Sequence, residues 1–270
     1  MIRGKTSPQD ERLTDAMAKI SYKIAVMSGK GGVGKSTVSV NLAWALSSRG
    51  ARVGLMDTDI HGPNVPAMLG IAERRFSGDD EAIEPIEITP DLVVASVANI
   101  GYDPDAALIW RGPMKLSIIR QFLADVVWGE RDYLVIDTPP GTGDEVLTVG
   151  QSVPQLTGIV IVTTPQDVAL LDARKSVDFA NKIKVPVIGL VENMADSDQL
   201  KMFGHGGGER AASELGIPFL GRIRLDQGFV AAGDSGRPFV ALHPDSGAGS
   251  DLSAVVERIV TYCKGSTVAQ

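Results

Sequence analysis

The sequence predicts an α/β fold, a mostly parallel sheet flanked by helices on both faces. Three observations carry that expectation. Short β-branched runs recur at 22–28, 52–57, 92–96, 133–138, 158–164 and 185–193. Their nearly unbroken apolar character marks strands covered on both sides. Helical patterns lie between them, notably at 114–128 and 168–183, and such alternation calls for right-handed crossovers between parallel strands. Finally, 270 residues with 44% hydrophobic content suffice for one sizeable core.

Taken in chain order, Leu13, Ala16, Met17 and Ile20 stand at helical spacing, so a short helix is expected over 9–20. Residues 22–28, YKIAVMS, form a strand that runs into a glycine-rich loop, and TVSVNLAWALSSRG (37–50) is a helix stopped at Gly50. RVGLMD, LVVAS, YLVIDT, GIVIVTT and VPVIGLVEN supply the later strands. Residues 71–90, with SGDDEAIEP, are polar and irregular and read as a mobile surface loop. Near the C-terminus Leu252, Val255, Val256, Ile259, Val260 and Cys263 fall on one helical stripe, which makes Cys263 a buried, inert thiol.

Composition removes several classes. A net charge of −7 gives no broad electrostatic footprint for nucleic acid or anionic lipid. A single cysteine allows no intrachain disulfide. No apolar run approaches the length of a membrane span, and residues 1–20 show no secretory signal core. The expectation is a cytoplasmic protein with neither a nucleic-acid nor a membrane partner.

Residues 29–36, GKGGVGKS, fit G-x-x-x-x-G-K-[ST] between a strand and a helix. In such a loop Gly29, Gly31, Gly32, Val33 and Gly34 curl the backbone so that successive N–H groups face phosphate oxygens. Lys35 reaches the β- and γ-phosphates, Ser36 suits Mg²⁺, and Thr37 opens the helix whose positive end faces the phosphates. Asp57 and Asp59 in MDTDIHGPN, and Asp137 in VIDTPPGTGDE, stand at the carboxyl ends of strands, where such sheets bind ligands. Asp137 and Ser36 are the candidate Mg²⁺ residues. The Gly- and Pro-rich TPPGTGD has the composition of a switch that senses the γ-phosphate. The expected organisation is a helical extension at 1–20, a P-loop ATPase domain at 21–264 and a tail at 265–270.

KGGVGKST, DTDIHGPNVPAMLG, IWRGPMK, DTPPGTGDE, TTPQ, VENM, FGHGGGE and LGIPFLGRIRLD occur in that order. Together they resemble the Mrp (ApbC-type) family of nucleotide-binding iron–sulfur cluster carriers, within the MinD/ParA-like deviant P-loop ATPases, from about residue 20 to about 260. The resemblance implies a slow Mg²⁺-dependent ATPase acting as a homodimer. It implies that the extra lysine, Lys30, reaches across a two-fold interface to the other subunit's nucleotide, where transition-state charge gathers. It further implies that Asp59 orients the attacking water, that Asp57 supports Mg²⁺, and that Asn193 recognises adenine. Arg111 in WRGP and His61 in DIHGPN receive no firm role.

One family feature is missing. By the resemblance, members that carry a cluster usually have a C-x-x-C pair between ENM and FG, one pair per subunit, holding a [4Fe-4S] cluster across the dimer. Here the stretch reads ENMADSDQLKMFGHGGGE, shorter and without cysteine. Asp196, Asp198 and His205 are hard or borderline donors, whereas clusters take thiolates. The expectation is a carrier-type ATPase without its own complete ligand set, served by a cysteine-bearing paralogue or an apo iron–sulfur client. The competing readings are a MinD/ParA-like positioning or partitioning ATPase, which the nearly neutral C-terminal helix and the acidic net charge disfavour, and a metabolic P-loop kinase, for which no acceptor site is legible.

Overall fold

A computed structural model describes residues 7–79, 82–100 and 112–266. Trp110 and Arg111 of WRGP lie outside the described residues, as do residues 1–6 of the expected extension and 267–270 of the expected tail. The described chain begins with α1 (Pro8–Ala18), β1 (Ile20–Met27), α2 (Lys35–Ser47), β2 (Val53–Asp57) and α3 (Val65–Met68). It continues through β3 (Ser77–Asp79), β4 (Ala82–Glu84), β5 (Ile86–Thr89), β6 (Leu92–Ser96), α4 (Gly112–Asp125), β7 (Arg131–Asp137) and α5 (Asp144–Ser152). Then follow β8 (Gly158–Thr163), α6 (Asp167–Lys182), β9 (Val187–Ala195), α7 (Gly207–Leu215), β10 (Phe219–Arg224), α8 (Gly228–Asp234), α9 (Phe239–Leu242) and α10 (Gly247–Ser266).

Eight strands form one sheet in the order β10-β9-β8-β1-β7-β2-β6-β5. Every pairing is parallel except β5 with β6. Alternation along a strand sends neighbouring side chains to opposite faces. On β1, Ile24 and Val26 therefore join the core beneath α2, α3, α9 and α10, while Ala25 and Met27 join the core beneath α1, α4, α5 and α6. Both faces are buried, which is why the strand sequences are nearly continuous in apolar residues. From β1 the chain moves outward to β2 and β6, then returns through β7 to β8 on the other side of β1. This reversal opens a crevice at the carboxyl end of β1.

The expected strands and helices are present with shifted ends. Ile20, expected on the first helix, begins β1 instead. The buried Lys23 stops α1 by donating to the carbonyls of Met17 and Ile20 at 3.2 and 3.0 Å. The reading of 71–90 as irregular is corrected. β5 pairs antiparallel with β6 through Ile86↔Val94, and Ile86 is buried. The alternation Ile86-Glu87-Ile88 is that of an edge strand with one covered face, and the surrounding acidic residues hid it. Strand β10 is not legible in the sequence, because Gly221 and two arginines break its apolar run.

Two places show how tight the core is. Gly54 on β2 sits against Trp128; an added Cβ would lie 2.8 Å from the indole and 3.0 Å from Leu134. On α10, Leu252, Val255, Val256, Ile259 and Cys263 are all buried, while Val260 lies at the margin. Burial pushes the Cys263 thiol up to about 12. Among the described residues no helix is long and apolar enough to cross a membrane.

Two outcomes are expected. Gly54→Ala overpacks the sheet and lowers unfolding stability by about 1–3 kcal/mol in urea titrations. Cys263 stays unmodified by a thiol reagent at pH 8 while the protein is folded, and one thiol per chain reacts after unfolding; rapid labelling of the native protein contradicts this.

Candidate functional site

The crevice at the end of β1 is a cleft of about 700 Å³, lined by the glycine loop, Asp59, His61, Pro139, Pro140, Glu145 and Met194 among others. Gly32 and Gly34 take φ of 80° and 83°, which turn the loop into the first turn of α2. At Gly34 a side chain is excluded twice, by this left-handed backbone and by the Asn193 amide, which an added Cβ would approach to 2.2 Å. Gly29 packs on the backbone of Asp172 in α6, and Gly31 is open to solvent. Lys30 is half-buried, and its carbonyl accepts the Ser28 hydroxyl at 2.9 Å. Ser36 and Thr37 line the cleft.

Asp137 organises the floor. Its carboxylate is fully buried and receives Lys35 Nζ at 2.8 Å, the Ser36 hydroxyl at 2.7 Å and the Ser39 hydroxyl at 2.7 Å. Its carbonyl receives both the N–H and the hydroxyl of Thr58 at 2.9 Å. Ser39 belongs to no motif in the sequence, although it lies one helical turn after Lys35 and so shares its face. The loop after β7 is tied to the glycine loop where the Gly141 N–H meets the Ser28 carbonyl at 2.8 Å.

Asp57 pairs in register with Asp137. It is fully enclosed rather than cleft-lining, and it accepts the Ser96 hydroxyl at 2.9 Å and the Asp59 N–H at 3.0 Å. Burial and the neighbouring Asp137 push its carboxyl up to about 8. Asp59 does line the cleft. It accepts the backbone N–H of His61 at 3.2 Å and of Gly62 at 3.3 Å, and burial raises its carboxyl above the usual range. These hydroxyl and carboxylate oxygens are a hard donor set, of the kind that takes Mg²⁺ rather than a soft metal.

Asn193 reaches the glycine loop from β9, where its amide N–H donates to the Val33 carbonyl at 2.9 Å. Met194 beside it has φ 56° and lines the cleft. Between the pairs Arg222↔Glu192 and Arg224↔Ala195, β9 carries one residue more than β10. This bulge turns the strand end toward the loop. Nothing in the sequence VENM marks it.

The stretch after β9 closes on itself. The Asp196 carboxylate accepts the N–H groups of Met202 and Phe203 at 2.8 and 2.7 Å, and these bonds hold it below the ordinary carboxylate range. Its own N–H donates to the Gly204 carbonyl at 2.8 Å. Among the described residues no group of three or more His, Cys, Asp or Glu is placed to hold a metal ion. The one cysteine of the chain is on α10, inside the core. The residues present do not fit an iron–sulfur cluster, which needs several accessible thiolates.

A family model described as ParA, the NUBPL iron-transfer P-loop NTPases, matches residues 19–260. The iron–sulfur cluster carrier protein of Methanocaldococcus jannaschii is 48% identical over 263 residues, covering 95% of this chain and 90% of that protein. A nucleotide-binding protein of Archaeoglobus fulgidus, solved in complex with ADP, superposes with a TM-score of 0.74 at 36% identity, covering 87% of this chain and 93% of that one. The septum-site-determining protein MinD of Pyrococcus horikoshii gives a TM-score of 0.69 at 22% identity, covering 88% of this chain and 95% of that one. At that distance the likeness concerns the fold alone. The match across nearly the whole chain, over a buried Lys35–Asp137 floor and a glycine loop, establishes that this chain belongs to the NUBPL iron-transfer family of P-loop NTPases.

Proposed function

We propose that the protein is a slow Mg²⁺-dependent ATPase that works as a two-fold dimer in iron–sulfur cluster assembly or transfer, with the cluster's thiolates supplied by a partner. The observation that carries the nucleotide reading is the joint engagement of Lys35, Ser36 and Ser39 by Asp137 at the mouth of the glycine loop. When phosphate arrives, Lys35 can exchange part of its contact with Asp137 for phosphate oxygens, and the loop N–H groups bind the rest. Ser36 would hold Mg²⁺ at the cleft, with Asp137 and the enclosed Asp57 behind it, and the ion would supply neutralisation of the charge gathering on the β- and γ-oxygens. Asp59, already oriented by two backbone N–H groups, positions the attacking water. Lys30 acts across the dimer interface.

Chemistry also supports adenine as the base. Because the Val33 carbonyl can only accept, the Asn193 NH₂ must face it, leaving Asn193 Oδ1 as the free acceptor. An acceptor suits the 6-amino group of adenine and opposes the 6-oxo group of guanine.

The cluster is cargo in this reading, and the chain itself offers it no ligands. The carrier reading rests on the curated relatives and the family match. The MinD/ParA-like alternative is not favoured. The apolar stripe of α10 is used in the core and is not available for a membrane.

Three variants and conditions test this. Lys35→Ala abolishes tight Mg·ATP binding in calorimetry, and it also destabilises the fold by about 3–5 kcal/mol, because Asp137 is left buried and unpaired. Asp59→Asn is the cleaner separation: it keeps ATP affinity and loses turnover, accumulating as the ATP-bound dimer, and normal turnover by it contradicts the assignment. Anaerobic reconstitution with iron and sulfide, followed by desalting, leaves far less than stoichiometric iron on the isolated homodimer. A stable cluster with near-stoichiometric iron and sulfide overturns the partner-supplied arrangement.

A further inference from the structure

Outside the residues assigned so far, three ionisable side chains from three separate segments meet at the rim of the cleft. His61 belongs to the loop after β2, Glu145 to the first turn of α5 and Lys115 to the first turn of α4. Lys115 Nζ stands 2.5 Å from His61 Nε2 and 3.2 Å from Glu145 Oε1. The side chains of Lys115 and Glu145 are only 13% and 18% exposed. His61 and Glu145 line the cleft, and Lys115 bridges them from α4.

The bridge has a definite chemistry. An ammonium group carries three donors and no acceptor, so one Lys115 Nζ can serve both neighbours. Burial works to raise the Glu145 carboxyl, but its own backbone N–H and the Lys115 ammonium outweigh it and hold the group below the ordinary range. Lys115 thus presents one N–H to the His61 ring and another to the Glu145 carboxylate.

The consequence runs to Asp59. The His61 N–H and the Gly62 N–H are the two donors that orient the Asp59 carboxylate. The near end of their loop is fixed to β7 by Thr58 on the Asp137 carbonyl. The Lys115 contact to His61 fixes it again on the far side of Asp59 and ties it to α5. A carboxylate that places a water must be held to a fraction of an ångström, since a misplacement of about 1 Å costs about 10²-fold in rate.

We propose that Lys115 is a positioning residue for ATP hydrolysis, clamping the loop of His61 to the start of α5 so that Asp59 is held at its working orientation. This rests on reading the site as an ATPase. Lys115 touches neither Lys35, Ser36 nor Asn193 among its described contacts, so its loss acts on turnover rather than on nucleotide affinity.

The test is steady-state hydrolysis and ATP calorimetry on the full chain, with the thermal midpoint followed alongside. Lys115→Met lowers kcat about tenfold or more, leaves KM and ATP affinity within about twofold, and Lys115→Arg recovers much of the loss. If the clamp acts through His61, Lys115→Met combined with His61→Ala is no slower than the slower single variant; losses that multiply overturn the route. Unchanged kcat in Lys115→Met overturns the proposal while leaving the ATPase reading intact. Parallel losses of ATP affinity, kcat and thermal midpoint, without recovery by arginine, also overturn it, since that is the behaviour of a merely structural residue. A wild-type protein that turns over no ATP overturns the ATPase reading and this proposal with it, a result distinguishable because it appears before any substitution is made.

Discussion

The buried pair of Lys35 and Asp137 is the constraint on which the rest of the site depends. Two charges removed from water are tolerable only with close geometry and with the remaining lone pairs satisfied. Here Ser36 and Ser39 satisfy them, at 2.7 Å each. Meeting that demand fixes the first turn of α2 against the end of β7, and so fixes the glycine loop between them. The same aspartate's backbone carbonyl holds Thr58, so the loop that carries Asp59 is rooted on it too. Strand order makes the convergence possible, because β7 lies directly between β1 and β2.

The end of β9 shows a second economy of design. Consecutive strand residues face opposite ways. Glu192 is fully buried and accepts the N–H groups of Gly206 and Gly208 at 2.8 and 2.5 Å, anchoring the start of α7. Asn193 turns to the glycine loop. The bulge and the left-handed Met194 lie next to it, and backbone held in a sparsely populated region costs about 1–3 kcal/mol. One strand end therefore joins the nucleotide cleft to the stretch where the sequence lacks the family's cysteines. In place of thiolates that stretch has Asp196 bonded to its own backbone, which makes it a self-contained turn.

Much of this was legible in the residues. The parallel sheet could be read because strands covered on both faces must be apolar throughout, and the glycine loop because its spacing leaves few alternatives. The stripe of α10 placed Cys263 inside the core, where it lies fully buried. The edge strand β5 was not legible, since one covered face gives only a two-residue alternation, here Ile86 and Ile88 among acidic neighbours. Ile20 is not separable from the helix for a related reason: helical spacing says nothing about the buried lysine that ends the helix before it.

By itself the sequence determined the fold class, the phosphate loop, the set of acidic residues at strand ends and the absence of thiolates where the family's cluster-binding members have them. These are local matters of residue type, spacing and periodicity. The tertiary structure alone decided which distant groups share a site. It enclosed Asp57 behind Asp59, added Ser39 and Ser96 to the carboxylates, aimed Asn193 by a bulge, and brought Lys115 to His61 and Glu145 from 54 and 30 residues away. The physical reason is that hydrogen bonding and desolvation depend on distance in space. In a crossover fold that distance is set by strand order and helix packing, which a linear pattern does not encode.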